Sequence, residues 1–384
     1  MIDAPGGPEP GWLGIADILT KTLRDVNAHS TGPPRANGYP ADPMTQDPAG
    51  TLLSLPPPQV PGPALAALVA THWGLTGTLQ PLTSERDQNH RLDTPQGSFT
   101  LKLANPAEPA ALTRFQTQAL LHTAWHAPEL PTPRVVPTRD GRMILPTPEG
   151  ALRLLTWLLG TPLAHLPRTP ALAAAIGTAL GRLDATLASF DHPAADHHLL
   201  WDIRNTRDLA PLTDALPKDL RPRITAFLAQ FATRIAPALA QLPRQVIHGD
   251  FNPYNLLADP AEPARLSGIL DFGDMTLSHG ICDLAVAASY LIDPSDPPAL
   301  LAPLTRAYHQ ANPLTDNELR LLPYLITARL VTTLTISAWR AARYPENAPY
   351  ILRNAPTSRL GLDALGDTSA LAAHFLHACE SPPQ

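Results

Sequence analysis

Apolar residues recur at helical spacing over Pro63 to Trp73, where Leu65, Leu68 and Val69 share a face, and over Pro109 to Ala127, where Leu112, Phe115, Ala119 and Leu120 do. Between these segments, Leu79 to Leu103 reads as extended chain. His90-Arg91-Leu92-Asp93 leads into the turn Pro95-Gln96-Gly97, and Ser98 to Leu103 alternates as a half-buried strand does, so a hairpin is expected. Arg134-Val135-Val136 and Met143-Ile144-Leu145 bracket the turn Asp140-Gly141-Arg142, and Arg153 to Leu159 is a further apolar strand. The pattern predicts a small sheet with one crossing helix, ending at a hinge around Gly160-Thr161-Pro162.

Beyond the hinge the periodicity is mainly helical: Pro170 to Phe190, Leu220 to Leu242, Ile281 to Leu291, Pro298 to Gln310, Asp316 to Arg343 and Pro356 to Ala378. Two short strands interrupt it, Gln245 to His248 and Leu266 to Asp271, each ending on a residue able to do chemistry. Groups at strand ends are anchored by the packed strand and still reach a cleft. The expected class is α+β, with a β-rich lobe over residues 61–160 and a larger helical lobe over 161–384. Residues 1–60 are rich in Pro, Gly, Asn and Asp and read as an irregular extension, with a short amphipathic helix at Ile15 to Val26 and Met44 as an alternative start.

Composition narrows the partners. Across 384 residues, 44% apolar content suffices for a large core, and no run approaches the ~18 uninterrupted apolar residues of a bilayer-spanning helix. No basic and apolar leader opens the chain, so cytoplasmic residence without a membrane is expected. A net charge of -6, with only 16% charged residues and no basic stripe, argues against nucleic-acid binding. Cys282 and Cys379 read as free thiols, and the 46 prolines as punctuation of helix ends and loops.

The candidate chemistry lies in His248-Gly249-Asp250-Phe251-Asn252-Pro253-Tyr254-Asn255 and in Asp271-Phe272-Gly273-Asp274. Transfer of a phosphoryl group needs a proton acceptor, oxygen ligands for Mg²⁺ and a cation for the phosphates. Asp250 and Asn255 are spaced as in the kinase pattern H-R-D-x-x-x-x-N, which makes Asp250 the base and Asn255 a metal ligand. Asp271, after an apolar strand, is the second metal ligand; hard oxygens suit Mg²⁺. His248 is expected to order the loop, and Asp274 either to orient the metal site or to be a loop carboxylate. Asp283, opening a helix, is read as stabilising that helix's N-terminus.

These stretches resemble the aminoglycoside phosphotransferase family, also called choline and homoserine kinase-like enzymes. Within it the likeness is to hydroxylysine kinases and to kinase domains that precede class III aminotransferases. Ser84-Glu85-Arg86-Asp87-Gln88-Asn89, Gly273 to Ser278 with Cys282 to Ala285, and Arg329-Leu330 with Ile336 to Arg340 carry it further. The resemblance implies a bilobal protein-kinase-like fold and a donor nucleotide, ATP or GTP. It also implies that Ser84, Arg86 and Asn89 sit over the phosphates, and that Lys102 binds phosphate. A separate aminotransferase-type pathway partner would stand in for the fusion. The chain departs from the kinase pattern in one respect. The helix after Lys102 contains no acidic residue, which leaves Gln116 or the preceding Glu108 to partner the lysine.

The expected acceptor is a small hydroxylated amine: an amino alcohol or a hydroxy-amino acid such as hydroxylysine. An aminoglycoside, or a catalytically inactive nucleotide-binding regulator, are the alternatives. Trp201 and Asp202 suit an ammonium group, or else anchor a loop and cap a helix. Arg329, Trp339 and Arg340 suit a substrate carboxylate, or else form a helix edge.

Overall fold

The computed structural model describes residues 56–84, 86–366 and 368–380. The expected helix at Ile15 to Val26, the alternative start at Met44, and Glu85 lie outside the described residues. Within them, helix α1 (Gly62–His72) follows Pro61 and turns Leu65 and Val69 inward, the one-turn spacing seen in the sequence. Its face covers an antiparallel sheet made of β1 (Thr78–Leu82), β2 (Gln88–Thr94), β3 (Gly97–Leu103), β4 (Val135–Val136), β5 (Leu145–Thr147) and β6 (Gly150–Thr156), ordered β1-β2-β3-β6-β4 with β5 also on β6. Helix α2 (Ala110–His126) crosses between β3 and β4.

The pleat of β3 buries Phe99, Leu101 and Leu103 on one side, so Lys102 points to the other. There it stands in register with Asn89 of β2 and Arg153 of β6. Strand β6 begins three residues before the expected Arg153 to Leu159 and ends at Thr156, because Gly150, at φ 138°, turns the chain directly into pairing with β5. The expected hinge forms a strand: β7 (Thr161–Pro162) pairs with β9 (Leu256–Ala258), which ties the connection to the helical region.

In that region α3 (Pro170–Leu187) and α4 (Arg221–Gln230, continuing through a π turn at Phe231–Ile235) pack around α5 (Gly280–Ser289), α6 (Pro298–Ala311) and α7 (Asp316–Arg343). A capping box of Thr315 and Glu318 starts α7. Among the described residues α7 alone is long and apolar enough to cross a bilayer, but 83% of its apolar window is buried, so that apolarity serves packing. The single helix expected over Pro356 to Ala378 is two, α8 (Ala355–Ala364) and α9 (Thr368–Glu380). Gly366 takes a left-handed φ of 40° between them, a conformation that stops a helix while the apolar periodicity runs on. Both cysteines are free.

Short strands frame the cleft between sheet and helices. β8 (Gln245–Ile247) pairs with β11 (Thr276–Ser278), and β9 pairs with β10 (Leu266–Ile269). Asp250 and Asn255 lie in the loop between β8 and β9, and Asp271 follows β10, so two separate stretches of chain deliver polar groups to one place.

Candidate active site

The loop after β8 is held from behind. His248 is fully buried; its Nε2 donates to Leu270 O (2.9 Å) and its Nδ1 accepts from the Asp250 N–H (3.3 Å). With both nitrogens engaged, and Phe251 and Phe272 packed against its ring by their edges, His248 orders the loop. Gly249 has φ 81°, and a Cβ there would meet Asp274 O at 2.3 Å, so only glycine lets this loop approach the Asp271–Asp274 turn.

Asp283 does more than stabilise a helix N-terminus. Its two oxygens accept from the backbone N–H groups of His248 (2.7 Å) and Gly249 (3.0 Å). Behind it, Asp184 of α3 is fully buried. Tyr308 donates to Asp184 Oδ2 (2.6 Å), while Oδ1 has no hydrogen-bond partner if it is ionised. Burial, with the neighbouring Asp283 charge, pushes the Asp184 carboxyl well up. A proton held on Asp184 would supply the bond that Oδ1 lacks.

This pair makes a prediction about stability and pH. A raised folded value means that Asp184 stabilises fully below its ordinary value of 3.8, and that this contribution is lost as pH rises toward the folded value. Asp184→Asn, which keeps a donor and cannot ionise, should therefore gain melting temperature relative to the wild type as pH rises from about 4 to about 8. A pH-independent difference in thermal unfolding would show that the proton is not there.

Asp250 is the most connected group at the cleft. Its Oδ2 accepts from Asn252 Nδ2 (2.8 Å) and Asn255 Nδ2 (2.9 Å), and its Oδ1 from Arg329 Nη2 (3.0 Å). Burial pushes its carboxyl up, and Arg329 opposes the shift. Asp271 sits across the cleft with φ 56° and ψ 78°, the single non-glycine residue of positive φ among the described residues. Lys102 Nζ lies 3.5 Å from its Oδ1. The Lys102 ammonium, with Arg86 beyond it, brings the Asp271 carboxyl down to about 2.

The partner of Lys102 is neither residue the sequence suggested. Gln116 Oε1 accepts from buried Arg153 (3.0 Å), and Glu108 from Thr113 (2.6 Å). The carboxylates at Lys102 are Asp271 and Asp87, the latter at 3.6 Å from the loop before β2. In that loop Ser84 Oγ accepts from the Asp87 N–H (3.2 Å), Arg86 pairs with Asp274 (2.7 Å), and Asn89 Oδ1 is buried without a partner at the cleft wall. Asp274 is thus held by an arginine from the sheet side.

Of the two alternatives at Asp202 the structure shows the helix cap, and at Arg329 it shows a buried ion pair. Asp202 has no exposed side chain; it accepts from Ser278 Oγ (2.7 Å) and from Arg204 N (3.0 Å), capping the 3-10 helix Ile203–Ala215. Arg329 is committed to Asp250 and to Trp201 O (3.1 Å), and its guanidinium lies 5.3 Å from the Trp201 ring centre. Trp201 and Arg340 line the cleft and Trp339 does not. The cleft, about 500 Å³, also takes in Ser337, from the Ile336 to Arg340 stretch, and Tyr290, Thr333 and Arg353, which no motif in the sequence singled out. Arg329, Thr333, Ser337 and Arg340 recur at helical spacing on one face of α7, and that spacing was the available signal.

Comparison with known proteins bears on this cleft. A family model described as the phosphotransferase enzyme family matches residues 78–322. The hydroxylysine kinase of Danio rerio is 28% identical over 310 residues, 76% of this chain and 86% of that protein. An amicoumacin kinase solved with AMP-PNP and Ca²⁺ superposes with a TM-score of 0.60 at 13% identity, over 78% of this chain and 94% of that one. A microcompartment-associated aminopropanol kinase does so with 0.57 at 17% identity, over 82% and 98%. The bilobal kinase-like fold is therefore present, and with a match that runs through the sheet, the His248–Asn255 loop and the start of α7, the chain belongs to the phosphotransferase enzyme family, as a kinase acting on hydroxyl groups of small molecules.

Proposed function

We propose that the chain transfers the terminal phosphoryl group of ATP or GTP, with Mg²⁺, to the hydroxyl of an amino alcohol or hydroxy-amino acid of the hydroxylysine type. The observation that carries this reading is the placement of Asp250, Asn255, Asp271 and Lys102 around one cleft. Asp250, aimed by Asn252, Asn255 and Arg329, accepts the proton of the acceptor hydroxyl. The hydroxyl oxygen bonds to phosphorus as the bond to the departing nucleoside diphosphate breaks. Lys102, steadied by Asp87 and Asp271, holds phosphate oxygens, and Ser84, Arg86 and Asn89 border them.

The donor set fits Mg²⁺. Asp271 and Asn255 offer hard oxygens, and among the described residues no cluster of three or more His, Cys, Asp or Glu would cage a metal alone. Mg²⁺ characteristically takes one or two protein oxygens and completes its shell with substrate phosphates and water. Bound there, it would neutralise charge on the transferring group. The carboxylate of Asp87 beside Lys102 favours turnover over an inactive regulator, because the ion pair missing from the helix is supplied by the loop.

The reading is tested by nucleoside diphosphate release from the purified chain with Mg²⁺ and, separately, hydroxylysine, homoserine, choline, ethanolamine and kanamycin. Release dependent on an amino alcohol or hydroxy-amino acid, and lost on chelation, is expected. A melting shift with Mg-nucleotide but no acceptor-dependent release would instead mark a regulator.

A further inference from the structure

Arg153 of β6 is a fully buried cation without a carboxylate of its own. The pleat of β6 sends Leu152 and Leu154 into the core that includes Leu65 and Val69 of α1, and turns Arg153 the other way, toward α2. There its Nη2 donates to Gln116 Oε1 (3.0 Å) and its Nη1 to Thr117 Oγ1 (3.3 Å), and both partners are neutral. Its Nε is buried with no hydrogen-bond partner. Among the described residues no carboxylate forms an ion pair with it: Asp87 and Asp271 pair with Lys102, and Glu108 accepts from Thr113. Burial lowers the proton affinity of Arg153 from its ordinary value, while Glu108, Asp87 and Asp271, acting from farther off, oppose the shift. An arginine keeps its proton regardless.

A guanidinium taken out of water is costly, and buried charges are as a rule paired. Here the cost is raised by Lys102, which stands in register with Arg153 across β3 and β6 and therefore on the same face of the sheet. One of these like charges lines the cleft, and the other lies a layer back, behind Gln116, which also lines it. A charge set in a low-dielectric wall raises the potential of the cleft in front of it without touching what binds there.

We infer that Arg153 is a positioning residue of the nucleotide subsite: its buried charge supports Lys102 from behind, and the phosphates of the nucleotide are the counter-charge that the protein itself does not supply. This rests on the kinase reading of the same cleft and deepens it. It also gives a reason for the amide at Gln116, because a carboxylate there would meet Arg153 and cancel the charge.

The test is equilibrium binding of Mg-ATP and Mg-GTP, which needs no acceptor. Arg153→Met, close in length and uncharged, should weaken binding of the preferred nucleotide about 10-fold, the scale on which one charge acts through an interior of effective dielectric about 20. Binding of the corresponding nucleoside, which carries no phosphate, should be unchanged, a distinction that a merely structural role would not produce. Gln116→Glu leaves Arg153 in place and keeps the size of the side chain. It should weaken the nucleotide by a similar factor, although it restores the acid that kinases carry on this helix, and it decides the matter if Arg153→Met does not fold.

Wild-type affinity for the nucleotide in folded Arg153→Met or in Gln116→Glu, or an equal loss for the nucleoside, overturns the inference and leaves the kinase reading standing. A wild-type chain that binds neither Mg-nucleotide overturns both.

Discussion

Replacing Asp250 with Asn should lower kcat about 10³-fold, the range lost when a positioned proton acceptor is removed, while Mg-nucleotide still binds and shifts the melting temperature. The amide keeps the shape of the carboxyl but accepts no proton. Its oxygen can still receive Arg329 Nη2, which now bonds Asp250 Oδ1 at 3.0 Å. The amide nonetheless leaves buried Arg329 without its counter-charge and turns its NH2 toward the Asn252 and Asn255 donors, so stability should fall by about 3 kcal/mol. Arg329→Met tests the converse, since it strands the carboxylate, which unlike the guanidinium can take up a proton. Single-turnover phosphoryl transfer and thermal unfolding separate these effects. His248 offers no second route to the proton, because Leu270 O and the Asp250 N–H already occupy its two nitrogens. An Asp250→Asn enzyme within tenfold of the wild type, as a rough bound on what such a base supplies, would therefore remove Asp250 from the chemistry altogether.

The residues of this site differ in how far the sequence could announce them, and the reasons are physical. Asp250, Asn255 and Asp271 follow or precede short strands at fixed spacing, and a strand end constrains where a side chain can go, so position along the chain came close to position in space. Lys102 was legible for a related reason. Phe99, Leu101 and Leu103 fix the buried side of β3, and the pleat leaves Lys102 no other face.

Asp202 was not legible. An aromatic residue followed by an acid looks the same whether it faces a ligand or caps a helix, and the choice is made by Ser278 Oγ, a hydroxyl 76 positions away in the chain. The partner of Lys102 was sought on the helix that supplies it in kinases, whereas Asp87 arrives from the loop before β2. Asp283 was read locally, from its place in the first turn of α5; its bonds to His248 and Gly249 span more than thirty residues. The break between α8 and α9 was hidden by apolar periodicity that continues past a single left-handed glycine. Local pattern thus gave the elements and the groups they carry, and it failed where a side chain's role is fixed by a partner distant in sequence.

Asp271 should show the opposite balance between activity and stability. Its left-handed backbone, φ 56°, is a conformation that a non-glycine residue holds at a cost of about 1–2 kcal/mol. Asp271→Gly releases that strain and removes the carboxylate; Asp271→Asn keeps a side chain that tolerates the conformation and removes only the charge. Both should lose about 10³-fold or more in turnover, the scale on which loss of a metal-held charge clamp is felt. The glycine variant should nonetheless melt no lower than the asparagine variant near neutral pH, since both lack the charge and only the asparagine holds a side chain in the left-handed conformation. The pH dependence has a definite sign. The folded carboxyl is held at about 2, below its ordinary 3.8, so its contribution is present above 3.8 and is lost as pH falls through about 2. Either variant should accordingly gain on the wild type in melting temperature as the solution is acidified through that window. If the glycine variant gained nothing there and kept its turnover, Asp271 would be neither the ionised partner of Lys102 nor a ligand for the metal.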